Sequence, residues 1–327
     1  MDRVARDVCI VGAGAIGGWL ADAFDRAGWH VSMVARGDTL AALRTDGLQV
    51  VRDGGVRRFH PRVGNAAEVG PQDYVFLTVK AQSLSGIAPQ LAPLLGPATV
   101  AVSGTNGIPW WFFENFGGPL ENVCLSSVDP QGTQAQTFAY GRVLGSVAHA
   151  SARVTAPARV EVVAADRFIL GEPGGGTSER VRELVAALKR GGINAEVSPH
   201  IRDDVWTKLW GNMNISPLSA LTRCGTGVLL DDPDVRALCE RMMGEMQHCG
   251  KLLGLNASMA PDQRIAITRR LGDFRPSMLV DLEAGRELEL SPQLGAVVEI
   301  AERLGVEAPF CRAILGLLRL LNRNRGL

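Results

Sequence analysis

Three absences narrow what this chain can be. It has no net charge, because 34 Lys plus Arg balance 34 Asp plus Glu. A balanced chain has no general attraction to nucleic acid or to an anionic membrane surface. It has no apolar stretch of membrane-spanning length; the longest runs are strand-sized or broken by Gly, Pro or charge. It also has no cysteine cluster. Cys9, Cys124, Cys224, Cys239, Cys249 and Cys311 are scattered, with no CxxC and no zinc-type spacing to His. They read as small buried hydrophobes in a reducing compartment, so the expectation is no metal, no disulfide and a cytoplasmic location. The start, Met1 to Asp7, is charged and leads directly into a strand and a Gly-rich turn, unlike a signal peptide. The five histidines show no readable pairing with an Asp.

At 327 residues the chain is longer than one core usually serves, which favours two domains. The first part alternates strands and helices. Val8–Val11 is a short apolar run, followed by a Gly-rich turn and by Ile16, Leu20, Ala23, Phe24 and Ala27 at helical spacing. Gly28 stops that helix, and His30–Val34 is a second strand. Such βαβ units predict an α/β fold, a Rossmann-type doubly wound parallel sheet. Further strands are expected at 74–79, 99–102, 123–126 and 143–147, a hairpin at 159–163 and 167–170, a helix at 179–190 and a short strand at 195–197. From Arg202 onward helical periodicity dominates, with segments near 202–215, 233–253, 261–272, 277–284, 291–304 and 308–323. This predicts a nucleotide-binding domain over residues 1–199 and an all-helical domain over 200–327.

Gly12-Ala13-Gly14-Ala15-Ile16-Gly17 fits G-x-G-x-x-G. The first glycine allows the tight turn, the second lets the backbone approach a pyrophosphate, and the third lets helix and strand pack closely. The pattern alone is weak; the strand before it and the amphipathic helix after it give it weight. The second strand ends Val34-Ala35-Arg36-Gly37, with no acid at its end to hold a ribose 2′-hydroxyl. Arg36 suits a 2′-phosphate instead, which favours NADP(H) over NAD, although Asp38 follows two residues later. Lys80 and Asn106-Gly107 follow strands at the expected ligand edge. Beyond the boundary, Lys208 and Asn212 share one helix face, and Ser216 extends that line until Pro217, which is expected to break the helix. Ordinary alternatives exist for each: a surface lysine, a turn asparagine, a helix-capping serine.

These residues resemble the ketopantoate reductase family, the 2-dehydropantoate 2-reductases, over nearly the whole chain. The marks are Val11 to Gly18, Thr78-Val79-Lys80-Ala81, Asn106-Gly107, Trp206-Thr207-Lys208-Leu209 with Asn212, and Pro276 to Arg286 followed by Glu289. The resemblance implies NADPH-dependent reduction of a 2-oxo acid, 2-dehydropantoate to (R)-pantoate in pantothenate biosynthesis. It implies Lys208 as general acid, and Asn106, Asn212 and Ser277 as substrate contacts. It places Gly12 to Gly17, Arg36, Lys80, Asn106, Ser151 and Glu289 at the cofactor. Where some members carry asparagines, this chain has Ser216 and Thr226, which would alter the substrate pocket. The aromatic run Trp110-Trp111-Phe112-Phe113 reads equally as lid, core or dimer contact. A paralogue acting on another 2-oxo acid, 2-hydroxy acid or secondary alcohol keeps the same fold; a non-catalytic NADP-binding regulator is the alternative of another class. The leucine-rich C-terminal helix, apolar on more than one side, fits either homodimerisation or burial against the nucleotide-binding domain.

Overall fold

The computed structural model describes residues 5–326, apart from the side chains of Ala165 and Asp166. It divides into two compact units. The first holds residues up to Thr105 together with Gln131–Ile201; the second holds Asn106–Pro130 and the chain from Arg202 onward. From sequence, one boundary is placed near Pro199; the two units divide at 201–202 and also at 105–106 and 130–131. The excursion of 106–130 into the helical unit was not foreseen, because a single-chain reading assigns neighbours in sequence to one domain.

The strands of the first unit are β1 (Asp7–Val11), β2 (His30–Val34), β3 (Leu48–Arg52), β4 (Gly55–Phe59), β5 (Arg62–Gly64), β6 (Gln72–Leu77), β7 (Leu95–Ser103), β8 (Val143–Ala156), β9 (Arg159–Gly171) and β10 (Ala195–Ser198). Its helices are α1 (Ala15–Arg26), α2 (Gly37–Asp46), α3 (Ala66–Val69), α4 (Ala81–Ile87), α5 (Thr133–Thr137) and α6 (Glu179–Arg190). The sheet runs β4-β3-β9-β8-β7-β6-β1-β2-β5, and β10 adds to β9. From β5 through β8 every neighbouring pair is parallel, as the βαβ pattern requires. Beyond β8 the sheet becomes mixed. β8 and β9 are antiparallel, β9 and β3 are parallel, and β3 and β4 are antiparallel.

Three expectations change here. Residues 159–170 are not a hairpin; they form one long strand that pairs antiparallel with β8. Only Pro157 and Ala158 separate the two strands, too few residues for a parallel crossover. Residues 48–64, in which the sequence reading placed no element, form β3, β4 and β5. Residues 123–126 are not a strand but irregular chain leading into a turn, within the second unit. Their short apolar run resembled a buried strand, and length alone could not separate the two readings.

The core of the first unit lies between the sheet and helices α1 and α6. Phe24 stacks on Trp29 with centroids 5.0 Å apart, Trp29 stacks on Tyr74 at 5.5 Å, and Phe24 meets Phe76 at 5.1 Å. These rings hold α1 against β6 and fix where the Gly-rich turn points.

The second unit contains α7 (Ile201–Thr222, its first residue at the unit boundary), α8 (Thr226–Asp231), α9 (Pro233–Leu252), α10 (Pro261–Arg270), α11 (Ser277–Glu283), α12 (Ala296–Leu304) and α13 (Pro309–Asn324). A π-helical turn, Ser291–Gly295, precedes α12. Helix α7 runs straight through Pro217. The missing N–H costs about 3 kcal/mol or more. Met213, Ile215, Leu218 and Ala220 are nearly inaccessible, and burying each large apolar side chain contributes about 1.5–3 kcal/mol. Tertiary packing therefore overrides the local break. Among the described residues no helix is long and apolar enough to cross a membrane.

Candidate active site

The Gly-rich turn connects β1 to α1. The Gly12 N–H donates to Val34 O at 3.0 Å, and Thr78 Oγ1 donates to Val11 O at 3.0 Å and Gly12 O at 2.9 Å. The turn is thus tied to both flanking strands. Gly12 has φ +101°, and a Cβ there would press on Val79 N at 2.9 Å. A Cβ at Gly17 would overlap the Gly12 carbonyl. At Gly14 the situation reverses: an added Cβ would meet nothing within 4 Å. Gly12 and Gly17 satisfy internal geometry, and Gly14 leaves open backbone facing free space. Gly14 caps α1 without a side-chain hydrogen bond, and no acid occupies the first turn. The first N–H groups of α1 and its positive dipole end are therefore left for an anion. These are the features a dinucleotide pyrophosphate requires.

Arg36 is exposed and caps α2, next to the end of β2. Lys80 caps α4 just after β6. Both therefore follow carboxyl ends of parallel strands, the edge on which such sheets bind ligands. Strand β8 aligns with the end of β7 at Gly145 and continues to Ala156, which puts exposed Ser151 well beyond that edge.

Within the second unit, Lys208 lies on α7, and its Nζ donates to Asn106 Oδ1 at 2.7 Å. Asn106 belongs to the segment that crosses into this unit. The crossing is fixed by Gly107 (φ +90°), where any Cβ would overlap Pro292 O. The Ile108 N–H donates to that carbonyl at 2.8 Å. The π-helical turn thus grips the Asn106 segment, a setting in which such turns recur. The run after it is core. Trp111, Phe112 and Phe113 are at most 1% exposed, and Phe112 stacks on Trp206 of α7 at 6.3 Å. Of the three readings open for the aromatic run, the packing selects core.

The Lys208 ammonium is half-buried, and desolvation lowers its pKa to about 8, against the opposing pull of the Glu289 carboxylate. Glu289 is itself buried. Its charge therefore acts on Lys208, a role beside the cofactor contact expected from sequence. Asn212 is partly accessible one turn along α7. Ser216 continues the line but is buried, and Ser277 stands exposed in the first turn of α11. Thr226 is 1% exposed; its hydroxyl donates to Gly272 O at 3.2 Å and accepts from Phe274 N–H at 3.0 Å. Those bonds commit it to the loop before α11. Sequence reasoning missed Gly211 and Arg264. The Arg264 guanidinium lies where a Cβ on Gly211 would be, so only glycine fits there. Neither residue carried a motif, and their proximity exists only after folding.

A dinucleotide turn on a parallel sheet, joined in one chain to a helical unit with a half-buried Lys–Asn pair, defines a pyridine-nucleotide-dependent oxidoreductase. The chain belongs to the ketopantoate reductase family: residues 8–110 match the family model "Ketopantoate reductase PanE/ApbA", and residues 200–322 match "Ketopantoate reductase PanE/ApbA C terminal". It is 41% identical to a 2-dehydropantoate 2-reductase of Mesorhizobium japonicum over 98% of both chains. A solved structure from Ralstonia solanacearum MolK2 is 41% identical with a TM-score of 0.95, covering 99% of this chain and all of that one. The 2-dehydropantoate 2-reductase of Methylococcus capsulatus shares 26% identity with a TM-score of 0.82 over 98% of each chain.

Proposed function

We propose that this chain reduces a 2-oxo acid with NADPH, taking ketopantoate (2-dehydropantoate) to pantoate. The observation that carries this reading is Lys208, hydrogen-bonded to Asn106 and holding its proton with a pKa of about 8. An acid titrating near the working pH gives up its proton more readily than an ordinary lysine. NADPH held by its pyrophosphate at Gly12 to Gly17 would supply the hydride that the keto carbon takes. Lys208 Nζ stabilises the negative charge that grows on the keto oxygen and delivers its proton there, leaving the 2-hydroxyl. Asn106 Oδ1 holds the ammonium in direction, and the negative charge of Glu289 keeps it protonated.

Asn106, Asn212, Ser216 and Ser277 are the proposed substrate contacts. Thr226 is left out, because both hydrogen-bonding directions of its hydroxyl serve the neighbouring loop. Gly12 to Gly17, Lys80, Ser151 and Glu289 are assigned to the cofactor. The absence of an acid at the end of β2, with Arg36 exposed there, supports NADP(H) over NAD. Exposed Phe310, Leu317 and Leu320 on α13 support pairing of helical units from two copies. The test is loss of NADPH absorbance with ketopantoate beside a panel of other 2-oxo acids. The highest kcat/KM with ketopantoate is expected. A better oxo acid would make the chain a paralogue with another substrate, and no oxidation with any of them would leave a non-catalytic NADP-binding protein.

A further inference from the structure

The segment Asn106–Pro130, which carries the hydrogen-bond partner of Lys208, is tied at both ends to one stretch of the second unit. At its start, the Ile108 N–H donates to Pro292 O in the π-helical turn at 2.8 Å. Near its end, the N–H groups of Ser126 and Ser127 donate to the two carboxylate oxygens of Glu299 on α12, at 2.9 and 2.8 Å. Arg303, one turn further along α12, donates to the same carboxylate. Burial raises the pKa of Glu299, but hydrogen bonds from Ser127, Ser126 and Arg303 overcome it and hold the acid at about 2. This second tie therefore does not titrate near neutrality.

A cavity of about 440 Å³, within the size range of small-molecule sites, opens beside both ties. Ser126, Ser127 and Glu299 of the second tie line it, as do Ser291 and Gly295 on either side of Pro292 in the π-helical turn. The two ties approach each other there: a Cβ on Gly295 would stand 3.8 Å from Ser127 Cβ. Val298 and Leu315, each nearly inaccessible, give the cavity an apolar floor. Its charges are already matched with one exception. Glu299 has both oxygens engaged, and the Glu302 carboxylate pairs with Arg312 at 2.7 Å. Arg319 lines the cavity without a partner among the described residues. Over Gly316, also in the lining, an added Cβ would meet nothing within 4 Å. The exposed apolar residues of α13, Phe310, Leu317 and Leu320, lie elsewhere. At about 100° per residue they are about 120° round the helix from Arg312, Gly316 and Arg319. Two copies pairing on that apolar stripe would leave the cavity face free.

We propose that this cavity is a second ligand site, which takes a small organic carboxylate and couples its binding to the Lys208 site. The carboxylate pairs with Arg319, the unmatched cation, and an apolar body covers Val298 and Leu315. The serine hydroxyls at the rim suit polar substituents. The coupling route is a chain of direct contacts. The ligand lies against Ser291 and Gly295, Pro292 between them holds Ile108, and Asn106 two residues earlier accepts from Lys208 at 2.7 Å. Only this coupling rests on the reductase reading above; binding in the cavity does not.

The probe is 4-phenylbutanoate, an apolar ring on a carboxylate, with its neutral amide as control. Calorimetry on the full chain should show the acid binding wild type about fivefold more tightly than the amide, the upper range for a solvent-screened ion pair. Arg319→Gln should remove that difference. Gly316→Leu, which fills the cavity and favours the helix, should abolish binding of both and leave turnover without the probe unchanged. The Kd of the acid should change about fivefold or more when oxamate occupies the Lys208 site. By reciprocity the acid should change oxamate affinity by the same factor, and neither shift should survive Gly316→Leu. No binding at millimolar probe, or binding that Gly316→Leu leaves intact, would overturn the site. Equal affinity for acid and amide would overturn the carboxylate assignment, and a Kd indifferent to oxamate would overturn the coupling. A probe that converts dimer to monomer in light scattering would make the cavity an interface between copies instead. A wild type that reduces no 2-oxo acid would sink the reductase reading alone, because probe binding is read without turnover.

Discussion

The two units make their sites from different material. In the first, the turn is backbone: Gly12, Gly14 and Gly17 contribute N–H groups, carbonyls and space, and their side chains matter by being absent. In the second, the proposed site is side chains whose properties come from burial: an ammonium with its pKa lowered, an amide hydrogen-bonded to it and a buried acid that biases it. A phosphate needs many weak donors at fixed positions, which a helix end provides without cost in side-chain order. Proton transfer needs one group with a matched proton affinity, and only a partly desolvated side chain can be tuned in that way. The first unit should therefore fail by steric intrusion, and the second by loss of one functional group.

Substitutions can break or sharpen that contrast. The largest effect is expected from Lys208→Ala, which should lower kcat about 10²- to 10⁴-fold while NADPH affinity, read by fluorescence titration, stays nearly constant. A parallel loss of cofactor binding would show that the labour is not divided. Trp111→Ala removes a fully buried ring from the core behind Asn106. It should cost about 3–5 kcal/mol in chemical denaturation. Gly17→Ala should destabilise by about 1–3 kcal/mol through overpacking and weaken NADPH binding, with kcat at saturating cofactor largely retained. Arg36→Ala should raise the Kd for NADPH by roughly tenfold and leave that for NADH unchanged; equal changes would remove the 2′-phosphate role.

The smallest effect concerns pH. In its proposed role as acid Lys208 must be protonated, and its pKa is lowered to about 8, by burial first. Reduction should thus be flat below that value and fall above it, where an ordinary lysine would hold to about 10.4. Glu289 raises the Lys208 pKa, so Glu289→Gln should move the falling limb to lower pH. A limb that stays in place or moves up would show that Glu289 does not hold up the Lys208 pKa.

Much of the first unit was legible because its signals are local. Val8–Val11, the three glycines and the spacing of Leu20, Phe24 and Ala27 lie within one βαβ unit, where chain order and spatial order coincide. The same logic failed beyond β7. Strands β3 and β4 join the sheet far from β2, beside β9, and nothing in their short runs identifies that neighbour. Pro217 was misread because propensity describes an isolated helix, and α7 is held by its surroundings. The Lys208–Asn212 face was readable from helical spacing. Asn106, 102 residues away from Lys208 in sequence, could be named through the family resemblance, but its bond to Lys208 could not.

The sequence alone determined the identities and local geometry: a glycine turn of dinucleotide-binding pattern, a strand end without an acid, and lysine and asparagine one helical turn apart. Those follow from sterics and periodicity over a few residues. Tertiary structure decided the chemistry. Desolvation lowered the proton affinity of Lys208, Gly107 and Pro292 brought Asn106 to it, and the missing side chain of Gly211 admitted Arg264 against α7. A group's pKa and its counter-ions are set by everything packed around it, and most of that is distant in the chain.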